Sequence, residues 1–478
     1  MNFRIILSNL GKVIVLCGVL MLLPLTVAFI YGENAFPFIY AIGIAALVGF
    51  ILIIYSRPDT SKMTARDGFC IVTMSWIVLS IIGSIPFIVS DQIVSPVDAF
   101  FETMSGFTTT GASVIENVED LDKGLLFWRS LTHWIGGMGV LVFILAIAER
   151  NPERSINILR AEMPGSKVDK LRPKAGTTAR ILYFIYIGLT LLEVIFLLFG
   201  GMSLYDSLVH AFGTAGTGGF GIKADSIGGY SPYLQYVIAI FMMLFGINFA
   251  MYYLILAGRI RNVFRSSELR WYLGIIAAAT CIIFININPS IGNYSESFRQ
   301  SFFQVSSIIT TTGYSTTDFD LWPGLSKTVL LILMFIGGCE GSTAGGFKVS
   351  RLMIMYHSVR NEAKHSLHPR IVSAVRINDK IVSKETLYSV SSYLGLYVFT
   401  FLALFLIISF EPMGFETNFS AVIACFNNIG PGFASVGPAA SFAAYSDFSK
   451  IVLSFAMLLG RLEIYPVLLS FLRLNVRR

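Results

Sequence analysis

The chain has 478 residues, of which 55% are hydrophobic and only 13% charged, and it carries a net charge of +6. About a quarter of the residues in an ordinary soluble domain are charged, so this balance excludes a soluble enzyme and points to a polytopic membrane protein. Five scattered cysteines and five histidines give neither a disulfide framework nor metal-ligand spacing. No nucleophile–base constellation is present either, so neither enzymatic chemistry nor a prosthetic group is expected.

Many apolar stretches reach the ~20 residues that a membrane span needs. Residues 13–30 and 36–55 read as two spans joined by a short outer turn. The first is longer than a signal-peptide core and no small-residue cleavage site follows it, so it reads as a retained span. From there one pattern recurs: span, short amphipathic half-span, polar glycine-containing loop, returning span. The first unit places these at 69–90, 96–107, 108–123 and 126–148. The second places them at 181–200, 204–212, 213–232 and 233–257, and the third at 271–287, 297–309, 310–325 and 328–348. The fourth occupies 387–410, 418–426, 427–447 and 450–472. The predicted fold class is therefore an all-α polytopic membrane protein with ten transmembrane helices. Four pseudo-symmetric repeats surround one pore (68–174, 175–268, 269–385 and 386–478), preceded by a two-span addition at 1–67. A half-span too short to cross must re-enter the side it left, which is tolerated only where it is buried in protein or lines a wet cavity.

Charge placement gives an independent check. Of 35 lysines and arginines, 28 lie in the N-terminal tail or in segments 57–66, 150–180, 259–270, 348–384 and 473–478. The positive-inside rule assigns these to the cytoplasm, with both termini inside. The opposite loops are acidic. A nucleic-acid partner does not account for that alternation.

Thr108-Thr109-Thr110-Gly111 recurs as Thr310-Thr311-Thr312-Gly313, with weaker echoes in Gly216-Thr217-Gly218-Gly219 and Asn428-Ile429-Gly430. Gly111, Gly218, Gly313 and Gly430 are the glycines matched by this reading. Each loop follows a half-span, and that repetition is what lifts the motif above an ordinary turn. A dehydrated monovalent cation needs several oxygens at once, and backbone carbonyls supply them without fixed charge. Carbonyls aimed at an axis need backbone angles that glycine adopts freely. The C-terminal end of a helical half-span favours a cation there. The expected ion ligands are Thr109, Thr110, Gly111, Thr217, Gly218, Thr311, Thr312, Gly313, Asn428, Ile429 and Gly430.

Two returning spans depart from a plain lipid-facing helix. The third contains Gly337, Gly338, Glu340, Gly341, Ser342, Thr343, Gly345 and Gly346. Glycine costs about 1 kcal/mol of helix propensity relative to alanine, so a break and a flexible intramembrane gate are expected; close packing of small residues is the alternative. The fourth contains Arg461, which costs at least about 2.5 kcal/mol within a span unless it faces water or a partner. It is expected to face the pore as a barrier to cations, the alternative being an ion pair with Glu340 or Glu463. Arg129 reads as an interfacial anchor near Trp128. Glu102 and His210 read as hydrogen-bonding supports of the half-spans, with cation ligation as the alternative.

Together, residues 108–113, 215–220, 310–315 and 427–432, with Trp128-Arg129, 134–139, 337–348 and 460–463, resemble the Trk/Ktr/HKT superfamily of cation transporters. The two extra N-terminal spans resemble its Trk branch. The resemblance implies a potassium-selective path with the family's filter glycines at Gly111, Gly218, Gly313 and Gly430, and gating elements at 337–346 and Arg461. It also implies a homodimer in a bacterial inner membrane. A cytoplasmic RCK-type nucleotide-binding regulatory subunit would dock on the basic inner loops, and nucleotide is expected on that partner alone. Gly216 and Asn428 depart from the family's threonine. A sodium-permeable or ion-coupled symporter of the same superfamily is the alternative.

Overall fold

The computed structural model describes residues 2–56, 64–139, 175–368, 374–378 and 380–471. Most of the basic segments 57–66, 150–180 and 473–478, part of 348–384 and the end of the expected span 126–148 lie outside the described residues. Among the described residues the chain is predominantly helical. One short antiparallel ladder pairs Arg376–Ile377 with Lys380–Ile381.

Six described helices are long and apolar enough to cross a membrane alone, including Phe36–Ser56, Ser267–Ile291 and Lys384–Ile408. The first apolar run starts earlier than expected. It forms Phe3–Leu20 and Leu22–Tyr31, with the Asn2 side chain accepting from the Ile5 N–H at the start. It packs on Phe36–Ser56 through small residues. A Cβ added to Gly49 would lie 2.5 Å from a Val15 methyl, and one added to Gly11 2.8 Å from the Gly49 carbonyl oxygen.

Four short helices, Pro96–Phe107, Leu204–Gly216, Tyr294–Ile309 and Phe415–Phe426, contain 12, 13, 16 and 12 residues. At 1.5 Å per residue they are about 18–24 Å long, less than the ~30 Å hydrocarbon core. The Ser95, Ser203 and Asn293 side chains cap the first three, satisfying N–H groups that a helix start leaves open. These helices and the loops after them form the buried centre, whereas Phe184, Phe199, Phe399 and Leu406 are exposed on the longer helices. Threonines are buried at the centre while many large apolar side chains are exposed on the longer helices, an arrangement that suits a lipid solvent better than water.

The returning segments are where the sequence expectation needs correction. Of the spans predicted at 126–148, 233–257, 328–348 and 450–472, the described residues form helices Lys123–Gly137, Pro232–Phe245, Gly324–Ile336 and Asp447–Arg461, and the last three are broken within the predicted bounds. The second resumes as Phe249–Leu256 after a 91° bend. The fourth resumes as Tyr465–Phe471 beyond Glu463 and Ile464, which have φ of +56° and +60°. The third breaks over 337–348, where a break was expected. Its loop stabilises the bend in the second segment. The Cys339 N–H donates to the Gly246 carbonyl and the Phe249 N–H to the Gly341 carbonyl, both at 3.0 Å. Backbone groups freed by one break are thus satisfied by the other.

Candidate functional site

Each short helix ends in the same cap. The N–H groups of Thr110, Gly218, Thr312 and Ile429 donate five residues back to the carbonyls of Ser105, Gly213, Ser307 and Ala424, each at 2.9 Å. Those of Thr109, Thr217, Thr311 and Asn428 donate three residues back, to Gly106, Thr214, Ile308 and Cys425. This double pattern turns the chain through a left-handed residue, usually glycine. Here the left-handed positions hold Thr109, Thr217, Thr311 and Asn428, with φ of +55°, +54°, +56° and +55°. A β-branched residue there is an outlier, costing of order 1–3 kcal/mol, and such strain clusters at functional sites.

Two residues further on, Gly111, Gly219, Gly313 and Gly430 again have positive φ, of +81°, +78°, +85° and +100°. The backbone therefore makes Gly219, not Gly218, the counterpart of the other three glycines. Gly218 takes the place held elsewhere by Thr110, Thr312 and Ile429. All four left-handed glycines border one cavity.

The loops meet in cyclic order. A Cβ on Gly111 would stand 1.9 Å from the Gly218 carbonyl oxygen, and one on Gly219 2.1 Å from that of Thr312. A Cβ on Gly313 would stand 2.1 Å from that of Ile429, and one on Gly430 2.8 Å from that of Thr110. Loop one thus abuts loop two, two abuts three, three abuts four, and four returns to one. The carbonyls sit at equivalent positions, one residue before each glycine. Any side chain at those glycines would strike a backbone oxygen that cannot swing away cheaply.

The threonine hydroxyls are bonded into the scaffold. Thr108 and Thr110 pair at 2.8 Å, as do Thr310 and Thr312. The Asn428 amide donates to Thr110 Oγ1 and to the Met457 carbonyl, both at 2.9 Å. Thr217 Oγ1 donates to the Gly216 carbonyl at 2.6 Å. The second loop departs from threonine because His133 occupies that space: a Cβ on Gly218 would fall 2.4 Å from its ring, and one on Gly216 2.3 Å from its carbonyl oxygen. His133 Nδ1 lies 2.7 Å from the Gly106 carbonyl, and its ring lies against Phe220 at 4.1 Å between centroids. The sequence reading did not single out His133; the run of small residues at 216–219 was the only trace of it.

Arg129 is not an interfacial anchor. It is buried, pairs with Glu102 at 2.5 Å, donates to the Gly221 carbonyl at 3.1 Å and lies 3.6 Å from the Phe220 ring centroid. Glu102 also accepts from the Ser113 hydroxyl and the Val114 N–H. The pair therefore ties the first short helix to the loops that follow the first and second. His210 stands between the hydroxyls of Tyr314 and Tyr230, at 3.4 and 3.1 Å. Among the described residues no group of three His, Cys, Asp or Glu side chains could hold a metal ion.

The 337–348 loop packs against the third and fourth loops. The Gly345 N–H donates to Thr311 Oγ1 at 2.7 Å, and a Cβ on Gly345 would lie 2.4 Å from the Asn427 carbonyl oxygen. Gly337, Gly341 and Gly346 have left-handed φ, and Gly337 and Gly346 touch as the loop doubles back. The Gly338 carbonyl accepts from the Val349 N–H. The Glu340 N–H donates to Glu268 at 2.7 Å, and its carboxylate accepts from the Ser350 hydroxyl at 2.8 Å. Ser342 bonds the Cys339 carbonyl, Thr343 the Phe245 carbonyl, and Lys348 the Ala344 carbonyl. Arg461 donates to the Thr343 carbonyl at 2.8 Å and to those of Gly136 and Gly137 at 2.6 and 2.7 Å. Glu463 pairs with Arg351. Arg461 thus joins the ends of helices Lys123–Gly137 and Asp447–Arg461 to the loop.

The chain matches the family model described as TrkH, cation transport protein, over residues 38–475. It is 34% identical over 478 residues to the Trk system potassium uptake protein TrkH of Salmonella typhimurium, covering 98% of this chain and 99% of that one. It is 35% identical to the Trk system potassium uptake protein TrkG of Escherichia coli, covering 98% of each. The crystal structure of the potassium transporter TrkH from Vibrio parahaemolyticus matches with a TM-score of 0.90 and 32% identity, over 100% of both chains. These relatives are transporters, not enzymes. With sequence and overall fold in agreement over nearly its whole length, the chain belongs to the TrkH family of cation transport proteins.

Proposed function

We propose that this protein takes up potassium across a bacterial cytoplasmic membrane, through one pore per chain built from four pseudo-symmetric repeats and ten crossings. Its filter is the carbonyl ring of Thr110, Gly218, Thr312 and Ile429 with the left-handed glycines beside it. Residues 337–346 and Arg461 form the gate. A homodimer with both termini cytoplasmic, regulated by a nucleotide-binding subunit on the basic inner loops, completes the reading. What supports it is the closed cyclic order of four equivalent carbonyls, together with the potassium named for the relatives. Carbonyl rings bind a dehydrated cation without holding it too tightly to leave.

The strained caps fit this reading. Three threonines and an asparagine are held in left-handed conformations so that successive carbonyls can follow a common direction. By the resemblance to the superfamily, glycine at all four loop positions points to potassium rather than the sodium-permeable alternative. Purified protein in liposomes tests the proposal. Potassium-competed rubidium uptake is expected, and absence of cation flux with and without nucleotide-loaded regulator would overturn it.

A further inference from the structure

Glu193, on helix Ala175–Phe199, is wholly buried; no cation pairs with its carboxyl group among the described residues, and the one group offered to it is the Thr214 hydroxyl, without full hydrogen-bond geometry. An ionised carboxylate there would lack the pairing that makes a buried charge tolerable. An apolar side chain would fill the space without that penalty, so packing does not explain the residue. Ionisable groups inside membrane helices mark ion or proton pathways by default.

Its polar surroundings lead outward. The Thr214 hydroxyl is offered to it, and Tyr314 lies close enough to feel its charge. Thr214 Oγ1 donates to the His210 carbonyl at 2.9 Å. Tyr314 Oη lies 3.4 Å from His210 Nδ1, and Tyr230 Oη lies 3.1 Å from Nε2. His210 is buried, whereas Tyr230 is half-buried in the loop after the second short helix. The imidazole therefore separates an outer hydroxyl from an inner one, and it accepts a proton on one nitrogen as it releases one from the other. The other titratable groups are Tyr186 on the same helix, with Arg461 acting on it, and Arg129 acting on Tyr314. Lys223 acts on His210, and Asp206 and Asp225 act on Tyr230. Tyr314 directly follows Gly313 and donates to the Phe220 carbonyl at 3.1 Å, so the track runs behind the second and third loops.

We propose that Glu193 is a proton-binding site, loaded from the outer face through Tyr230 and His210 and reached through the Tyr314 and Thr214 hydroxyls. Loading makes one O–H bond on the carboxylate. Each relay group passes on one proton for each it receives, so no further reactant is needed. Only the name of the outer face rests on the proposed orientation; proton occupancy does not depend on potassium conduction.

Infrared spectroscopy of the full-length protein tests this. A carboxylic-acid C=O stretch is expected that is lost in Glu193→Gln and moved in frequency in Glu193→Asp. Transfer to D2O should shift the wild-type band, and Tyr230→Phe should slow that shift about tenfold, as loss of one relay contact implies. A spectrum with no Glu193-dependent acid band overturns the proposal. So does a band whose exchange Tyr230→Phe leaves unchanged. Rubidium uptake by the same samples reads out the transport proposal separately.

Discussion

Replacing Gly219 with alanine tests the register of the second loop. The residue has φ of +78°, a conformation that costs an L-residue roughly 1–2 kcal/mol. The new methyl would also stand 2.1 Å from the Thr312 carbonyl oxygen and 3.1 Å from the Gly313 carbonyl carbon. Relieving that overlap displaces a ring carbonyl, and overpacking of this kind adds about 1–3 kcal/mol. The combined penalty, roughly 2–5 kcal/mol, falls on the oxygens of the proposed filter. Since 1.4 kcal/mol is tenfold in affinity, potassium-over-sodium discrimination should fall about tenfold or more. Sodium competition against rubidium uptake in liposomes measures it. Gly218→Ala differs in kind, because its methyl meets the His133 ring at 2.4 Å. His133→Ala should therefore rescue Gly218→Ala and leave Gly219→Ala impaired. Unchanged selectivity in folded Gly219→Ala protein, or equal rescue of both variants, would refute the reasoning.

Gly313→Ser should lower potassium-over-sodium selectivity, read as a shift in reversal potential. Arg461→Ala removes three hydrogen bonds to carbonyls and should raise leak flux, as should deletion of 341–345; wild-type leak in both folded variants would count against the gate. Thr311→Val keeps the branched shape but deletes the acceptor of the Gly345 N–H. Losing that hydrogen bond, worth ~1 kcal/mol, should raise leak about fivefold, whereas Thr311→Ser should not. Arg129→Met strands buried Glu102, at about 3–5 kcal/mol, and should depress the thermal unfolding midpoint in detergent. Adding Glu102→Met should recover part of that loss.

Much of the loop architecture is legible in sequence because the signal is local. A short amphipathic segment followed by Thr-Thr-Thr-Gly announces both the helix end and the oxygen-rich turn, and the glycines of 337–346 announce a broken helix. The second loop is not legible to the residue. Gly216, Gly218 and Gly219 differ in backbone angle and in what each faces — the His133 carbonyl, the His133 ring and the Thr312 carbonyl — and neither leaves a spacing pattern. The 91° bend at 246–248 was hidden for a related reason. One glycine in an apolar run is ordinarily tolerated, and this break is stabilised by Cys339 and Gly341, about ninety residues away. Arg129 looked interfacial because it begins a span beside tryptophan. Its partner, Glu102, lies on a different element 27 residues earlier, beyond any helical i, i+4 relation.

The most direct measurement is the position of a heavy monovalent cation, rubidium or thallium, in a density map of the purified protein. Density on the axis within the ring of the Thr110, Gly218, Thr312 and Ile429 carbonyls is the predicted result, and it should be lost in Gly219→Ala. Ion density confined to sites away from those four carbonyls, in protein that transports rubidium, would contradict the account.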